Sequence, residues 1–301
     1  MWSMGLLLAG CQAQISGAPP IDAALVVDTT LADTPGLIDS APIPIDGAIA
    51  LGPWLTPQKI DVASTGRVED DITLSSNTLE LIFAINGQNG KDLFYASRAT
   101  TSDAWTPAMP LPFNLPPQSE ESPRLSADDR TLYFASTRAG RGNLDIFQTT
   151  RSAPGNTDWG PVMPADGMIN TTNLNEKWFM PCGIDRYVMV KDGAGSDLVE
   201  GTIGGAAPVP IPSLNSSGNE TGAFVTPDCL TIYFASTRVT PTRIFRAHRA
   251  ALADAWPAPD PVNDFETIGG NQEDPWISSD ERTFGFASDA TGNKDLYLTT
   301  R

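Results

Sequence analysis

The sequence predicts an all-β fold, a five-bladed β-propeller whose last blade is closed by an N-terminal outer strand. Three observations carry this expectation. A strand motif recurs five times, with Phe83, Phe134, Met189, Phe234 and Phe286 equivalent at steps of 51, 55, 45 and 52 residues. The composition suits short strands joined by turns, with 26 Gly and 26 Pro in 301 residues. The repeat is also out of phase with the ends of the chain. It stops at Arg301 after the third strand of a copy, and the first copy is preceded by an orphan outer-strand segment, Pro53-Trp54-Leu55-Thr56-Pro57. Pairing that segment with the last copy removes a free sheet edge and fixes the blade number at five.

Taken in order, residues 1–11 read as an export signal. The run Leu8-Ala9-Gly10-Cys11 resembles the bacterial lipobox, a branched apolar residue and two small residues before the cysteine that is lipidated. The resemblance implies lipidation of Cys11, and Gln12 after it implies sorting to the outer membrane, facing periplasm or cell surface. One feature departs from the pattern: no Lys or Arg precedes Cys11, as a signal peptide normally requires. No apolar run is long enough for a spanning helix, so the lipid is the expected membrane contact. Residues 12–48 carry no aromatic, Lys or Arg, and Asp recurs at Asp22, Asp28, Asp33, Asp39 and Asp46. Such a stretch has little to bury and repels itself, which predicts a disordered tether. The propeller is assigned to residues 49–301.

Within the propeller each copy supplies four strands. The second copy shows the plan best. Glu121-Ser122-Pro123-Arg124-Leu125-Ser126 is the inner strand, and Thr131-Leu132-Tyr133-Phe134-Ala135-Ser136 the second. Asp145-Ile146-Phe147 opens the third, and Trp159 begins the outer one. The second strand is apolar on both faces, as a strand sandwiched between neighbouring blades must be. Small residues at Ala84, Ala135, Val190, Ala235 and Ala287 let the adjacent blade approach. Trp54, Trp105, Trp159 and Trp256 are expected to pack beneath the outer strands, and the third copy lacks this Trp.

The pattern S-x-D, an apolar-aromatic strand ending in Ala-Ser, then Asp-apolar-aromatic, resembles the TolB-type WD40-like propeller repeat, most closely over residues 119–151 and 271–301. That resemblance implies a periplasmic or lipid-anchored protein that binds other proteins or peptides. A kelch-type propeller has a similar period, but its paired glycines are missing here.

Charge narrows the partners. The formal net charge of −17 argues against nucleic acid. The single histidine, His248, limits any Ser-His-Asp chemistry to one residue. The most suggestive set is acidic. Asp70, Glu121, Glu176 and Glu273 fall at the entry to four inner strands, and Thr221 occupies that place in the fourth copy. They are expected to ring one channel mouth as a site for a ligand or a cation, calcium being the candidate. The competing reading is that each acid bonds local backbone and recurs with the blade. Trp178 and Trp276 break the repeat at inner strands, and Arg124, Arg138 and Arg238 are candidates to face a partner. Cys182 and Cys229 lie in equivalent turns of the third and fourth copies, and a disulfide between them is left open.

Two functional readings follow. The preferred one is a monomeric, non-enzymatic, lipid-anchored module that binds an envelope protein, peptide or glycan and needs no cofactor. The alternative is a glycosidase-like enzyme of five-bladed type. Acids that break the repeat at one mouth favour the enzyme, and an even ring of acids favours binding.

Overall fold

The computed structural model describes residues 51–138, 143–165 and 168–301. The segments assigned to an export signal and a tether, with Cys11, lie outside the described residues.

Five four-stranded antiparallel sheets form the blades. Strand β1 (Gln58–Lys59) precedes them in the chain. The first blade is β2 (Glu69–Leu74), β3 (Glu80–Asn86), β4 (Lys91–Ser97) and β5 (Met109–Pro110). The second is β6 (Glu120–Leu125), β7 (Thr131–Ser136), β8 (Asp145–Thr150) and β9 (Met163–Pro164). The third is β10 (Asn175–Cys182), β11 (Arg186–Asp192), β12 (Ser196–Thr202) and β13 (Val209–Pro210). The fourth is β14 (Glu220–Val225), β15 (Thr231–Ser236), β16 (Arg243–His248) and β17 (Asp260–Pro261). The fifth is β18 (Gln272–Ile277), β19 (Thr283–Thr291) and β20 (Asn293–Thr300), completed by β1. Inner strands β2, β6, β10, β14 and β18 touch in that cyclic order and return to β2, so they enclose a central channel.

The closing strand lies slightly later than its sequence suggests. Gln58 pairs with Leu298 and Lys59 with Tyr297, whereas Pro53 and Pro57 lack the N–H a ladder needs. Within the expected segment Leu55 still contributes, its N–H donating to the Thr300 carbonyl at 2.9 Å. Among the described residues no helix is long and apolar enough to cross a membrane.

The core is the stack of second strands. Phe83, Phe134, Met189, Phe234 and Phe286 are all completely buried, as are the five small residues that follow them. Burying one Phe contributes about 1.5–3 kcal/mol, and the repeat delivers that gain at nearly every blade interface.

Each blade but the third carries the same internal staple. Arg98, Arg151, Arg249 and Arg301 lie 4.1–4.8 Å over the rings of Trp105, Trp159, Trp256 and Trp54. Their Nε atoms donate to the carbonyls of Thr78, Asp129, Cys229 and Glu281. Those four acceptors are the left-handed residues of the turn between inner and second strands, with φ of 55–59°. In the same turns Asp128, Asp228 and Asp280 accept backbone N–H groups two residues on, which is how Asp specifies a tight turn. The third blade has no such Arg–Trp pair. There Cys182 and Cys229 form a disulfide, Cα–Cα 5.3 Å, between the third and fourth blades.

Candidate functional site

The inner strands share a local distortion that aims side chains at the channel. Every one slips register at a β-bulge whose residue is left-handed: Asp71, Ser122, Trp178, Gly222 and Asp274, with φ of 48–62°. Only one is glycine. A Cβ at Gly222 would stand 2.8 Å from the Cα of Asp274, so crowding against the neighbouring inner strand demands glycine there.

The residue before the bulge is the one facing the small side chain of the second strand: Asp70, Glu121, Lys177, Thr221 and Glu273. The expected acid ring therefore needs a correction. In the third blade Lys177, not Glu176, holds the equivalent place. Glu176 pairs with Lys191 one step earlier, in register with Glu69, Glu120, Glu220 and Gln272. This second set is completely buried and serves the fold. Glu120 accepts from Ser136 Oγ at 2.8 Å and Arg138 Nη2 at 3.0 Å. Glu220 repeats the pattern with Ser236 and Arg238. Glu176 accepts from Thr171 Oγ1 at 2.6 Å and ion-pairs with Lys191. Arg138 and Arg238 are thus ligands of blade carboxylates and not partner-facing groups.

The remaining acids converge. Lys91 Nζ lies 2.8 Å from Asp70 Oδ2, 3.1 Å from Asp71 Oδ2 and 3.2 Å from Glu121 Oε2. Lys294 contacts Glu273 and lies 3.8 Å from Asp70. Asp71 Oδ1 accepts from the Trp178 indole N–H at 2.8 Å, and the Asp71 N–H donates to Asp274 Oδ2 at 3.2 Å. Beneath them Arg124, expected to face outward, is completely buried and crosses the channel. Its guanidinium donates to the carbonyls of Pro123 and Ile72 at 3.0 Å, Ala223 at 3.2 Å and Gly222 at 3.4 Å. The other repeat-breaking indole, Trp276, packs against Phe224 in the apolar core near the opposite mouth.

Electrostatics separates the acids. Burial opposes ionisation of Asp71, but Lys91, Lys294 and Arg124 outweigh it and hold this carboxyl well below the usual range. Burial, together with the charge kept on Asp71, raises Asp70. The same two causes push Asp274 up to about 6. Burial lowers Arg124 to about 10, with Asp274 and Asp71 opposing that shift. Two polar atoms at this level are buried without a hydrogen-bond partner, Asp70 Oδ1 and Ser122 Oγ.

The arrangement is one-sided. Carboxylates come from the fifth, first and second blades, and the third and fourth supply Lys177, Trp178, Thr221 and Gly222. Two lysine ammonium groups sit among the acids where a cation was expected. Among the described residues no group of three or more His, Cys, Asp or Glu is arranged to hold a metal ion. Lys91 and Lys294 escaped notice in the sequence, but a signal existed. Both stand directly before the Asp that opens a third strand, in the first and fifth copies, where the other copies have Leu144, Ser196 and Thr242.

These features define a five-bladed β-propeller with a plugged channel and a charged mouth. No protein-family model matches the chain, and a search of curated proteins finds no match. Among solved structures it is similar to the endo-arabinase from Bacteroides thetaiotaomicron VPI-5482, with TM-score 0.55, 12% identity and coverage of 83% of this chain and 98% of that one. An α-L-arabinofuranosidase from Podospora anserina, in complex with cellotriose, gives TM-score 0.52, 14% identity and coverage of 83% and 96%. A putative TolB from Agrobacterium tumefaciens gives TM-score 0.51, 15% identity and coverage of 79% of each chain. At these identities the likeness is one of fold.

Proposed function

We propose that this propeller is a non-enzymatic binding module of the bacterial cell envelope that holds a protein, peptide or glycan at the charged mouth of its channel. The observation that carries the reading is the lysine bridging. Glu121 and Glu273 are the site's more exposed acids, and each is ion-paired to Lys91 or Lys294. A glycosidase needs a proton-donating and an ionised carboxyl, roughly 5–10 Å apart, with the sugar between them. Here ammonium groups stand between the carboxylates. Alternating ammonium and carboxylate groups suit ligand hydroxyls and amides, which both donate and accept. The lipobox-like Cys11 and the acidic segment after it support an anchored place in the envelope.

One observation favours the second reading, a glycan-active enzyme. The acids cluster on three adjacent blades, with Asp71 and Asp274 shifted in opposite directions, and separated acidities are how an acid and a base are assigned. The similarity in fold to an α-L-arabinofuranosidase and an endo-arabinase supports the same idea.

The test is calorimetry of the full chain against arabinan and xylan oligosaccharides, peptidoglycan fragments and peptide pools, with reducing-sugar release read in parallel. The binding reading expects saturable heat for one class, loss of that heat in Lys91→Met, and no sugar release. Sugar release that the Glu121→Gln, Glu273→Gln pair abolishes establishes the enzyme instead. Binding that Lys91→Met and Lys294→Met leave unchanged removes the channel mouth as the site.

A further inference from the structure

A second concave site lies away from the channel, between the outer half of the fourth blade and the closing segment of the fifth. Its volume is 510 Å³, within the range of small-molecule sites, about 300–1,000 Å³. Its polar wall is β16, which contributes Arg246 and His248. Two residues apart on one strand, they share a face.

Neither residue is required by the repeat. The positions equivalent to Arg246 hold Tyr95, Gln148, Glu200 and Leu298. Those equivalent to His248 hold Ser97, Thr150, Thr202 and Thr300. The chain's single histidine and an extra arginine have therefore replaced ordinary strand residues in one blade, side by side.

The arginine interacts with the Tyr233 hydroxyl, but one of its donors is unsatisfied. Its guanidinium stands 5.8 Å over the Tyr233 ring, and its Nε is buried with no hydrogen-bond partner. The staple arginines all donate Nε to a turn carbonyl. A buried donor on a charged group is costly to leave unpaired, so this arginine is held at some cost to the fold. The neighbouring charges do not supply the partner. Glu281 is bound by Arg301, and Asp260, opposite Arg246 in the β16–β17 pair, makes no ion pair with it. His248 uses Nδ1 on Thr231 Oγ1 at 2.9 Å, which orients the ring and leaves Nε2 for a ligand. Behind the groove the buried Phe284 lies 5.7 Å from the half-buried Trp54 and 5.5 Å from the buried Tyr233.

We infer that this groove binds a carboxylate carried on an apolar body, with the Arg246 guanidinium and the His248 ring as its donors and the half-buried Trp54 ring beside the apolar part. A monoanion fits better than a phosphate dianion, because Asp260 and Asp264 also line the groove and the chain's net charge is −17. The carboxylate has two sources with the same chemistry, a free organic acid or the C-terminus of a peptide.

The test uses the full chain and nitrogen-15 NMR of arginine Nε–H groups, with the Arg246 signal assigned by its loss in Arg246→Gln. The probes are hydrocinnamate, its amide, a short peptide ending in phenylalanine with a free carboxylate, and the same peptide amidated. Hydrocinnamate or the free-acid peptide is expected to shift the Arg246 signal saturably at millimolar concentration, and the amides are not. The tighter of the two carboxylates assigns the source. Arg246→Gln should weaken binding about tenfold to a hundredfold, the value of a hydrogen bond to a charged group. His248→Thr, which installs the residue of other blades and so spares the fold, should weaken it less. Absence of any shift in the wild-type chain, equal affinity in Arg246→Gln, or equal binding of the amides overturns the inference.

Discussion

Replacing Arg124 with Met removes a charge from the centre of the channel while keeping a side chain of comparable length. Arg124 is completely buried and donates to four carbonyls from three inner strands. Asp71 and Asp274 are the acids that act on it. Exchanging a whole buried ion cluster for apolar groups can be neutral. Removing one member and leaving its partners charged costs about 3–5 kcal/mol. Here Asp71 stays ionised and loses one of three supporting cations. For a domain of this size each kcal/mol moves the melting temperature by roughly 2–4 °C, so a drop of about 6–20 °C is expected. The sign with pH is fixed by the acids left behind. Asp274 is raised from 3.8 to about 6, so in the folded chain it is neutral well below about 6, half charged near it and charged at neutral pH. The deficit of Arg124→Met should therefore be largest at neutral pH and shrink on acidification through about 6, as Asp274 takes a proton. Adding Asp71→Asn and Asp274→Asn should recover most of the loss at neutral pH. Calorimetric melts of the single and triple variants across pH are the assay. A single variant that melts within roughly 2 °C of the parent would refute the view that Arg124 neutralises the channel.

Two further outcomes follow from the same geometry. A folded pKa above the unfolded one gives Asp274 a contribution that is complete below 3.8 and is lost as pH rises through about 6. Asp274→Asn should therefore flatten the stability profile in that window and raise neutral-pH stability by about 1–3 kcal/mol, and an unchanged profile in denaturant titrations at several pH values would show that Asp274 does not titrate there. The Cys182–Cys229 disulfide closes a loop of sequence separation 47, worth about 4 kcal/mol by chain entropy. Reductant should lower the melting temperature by about 8–16 °C, whereas coincident reduced and oxidised melts, or two free thiols at these positions in the denatured unreduced chain, would contradict the bond.

The fold was legible because a propeller writes its constraint five times. Phe134 and Ala135 alone could belong to any buried strand. The same pair at Phe83, Phe234 and Phe286 fixes the period, and the orphan Trp54 segment fixes the closure. The site was less legible because channel chemistry depends on which residue of an inner strand carries the bulge, and that is set by a left-handed backbone. Nothing in Asp71 or Trp178 announces a positive φ. A slip of one residue exchanges the buried structural face for the channel face. That slip is what separates Glu176, a partner of Thr171 and Lys191, from Lys177. It arose in the third blade, where divergence had erased the Ser that marks register in the first, second and fifth copies. Arg124 misled for a related reason. A lone arginine in a strand usually reaches solvent, and only the ring of inner-strand carbonyls supplies enough acceptors to bury it.

The third blade shows how the repeat tolerates its own loss. In the other blades an arginine ties the outer-strand Trp to the left-handed turn carbonyl, linking the outermost and innermost turns. The third blade has Gly204 and Gly205 near the place of the Trp, and its turn runs Cys182-Gly183-Ile184-Asp185. Its Gly183 N–H donates instead to the Pro227 carbonyl of the next blade at 2.7 Å, beside the disulfide. Attachment has moved from within the blade to between blades. An inter-blade link holds β10 at its lower end without constraining its outer strand. The upper end of β10 departs most from the channel pattern, with Lys177 and Trp178 where the first, second and fifth blades place acids before the bulge. The third blade, without a staple, thus joins the stapled fourth, with Thr221 and Gly222, in making the acidic ring one-sided, and the covalent clip ties the inner-strand turns of these two blades together.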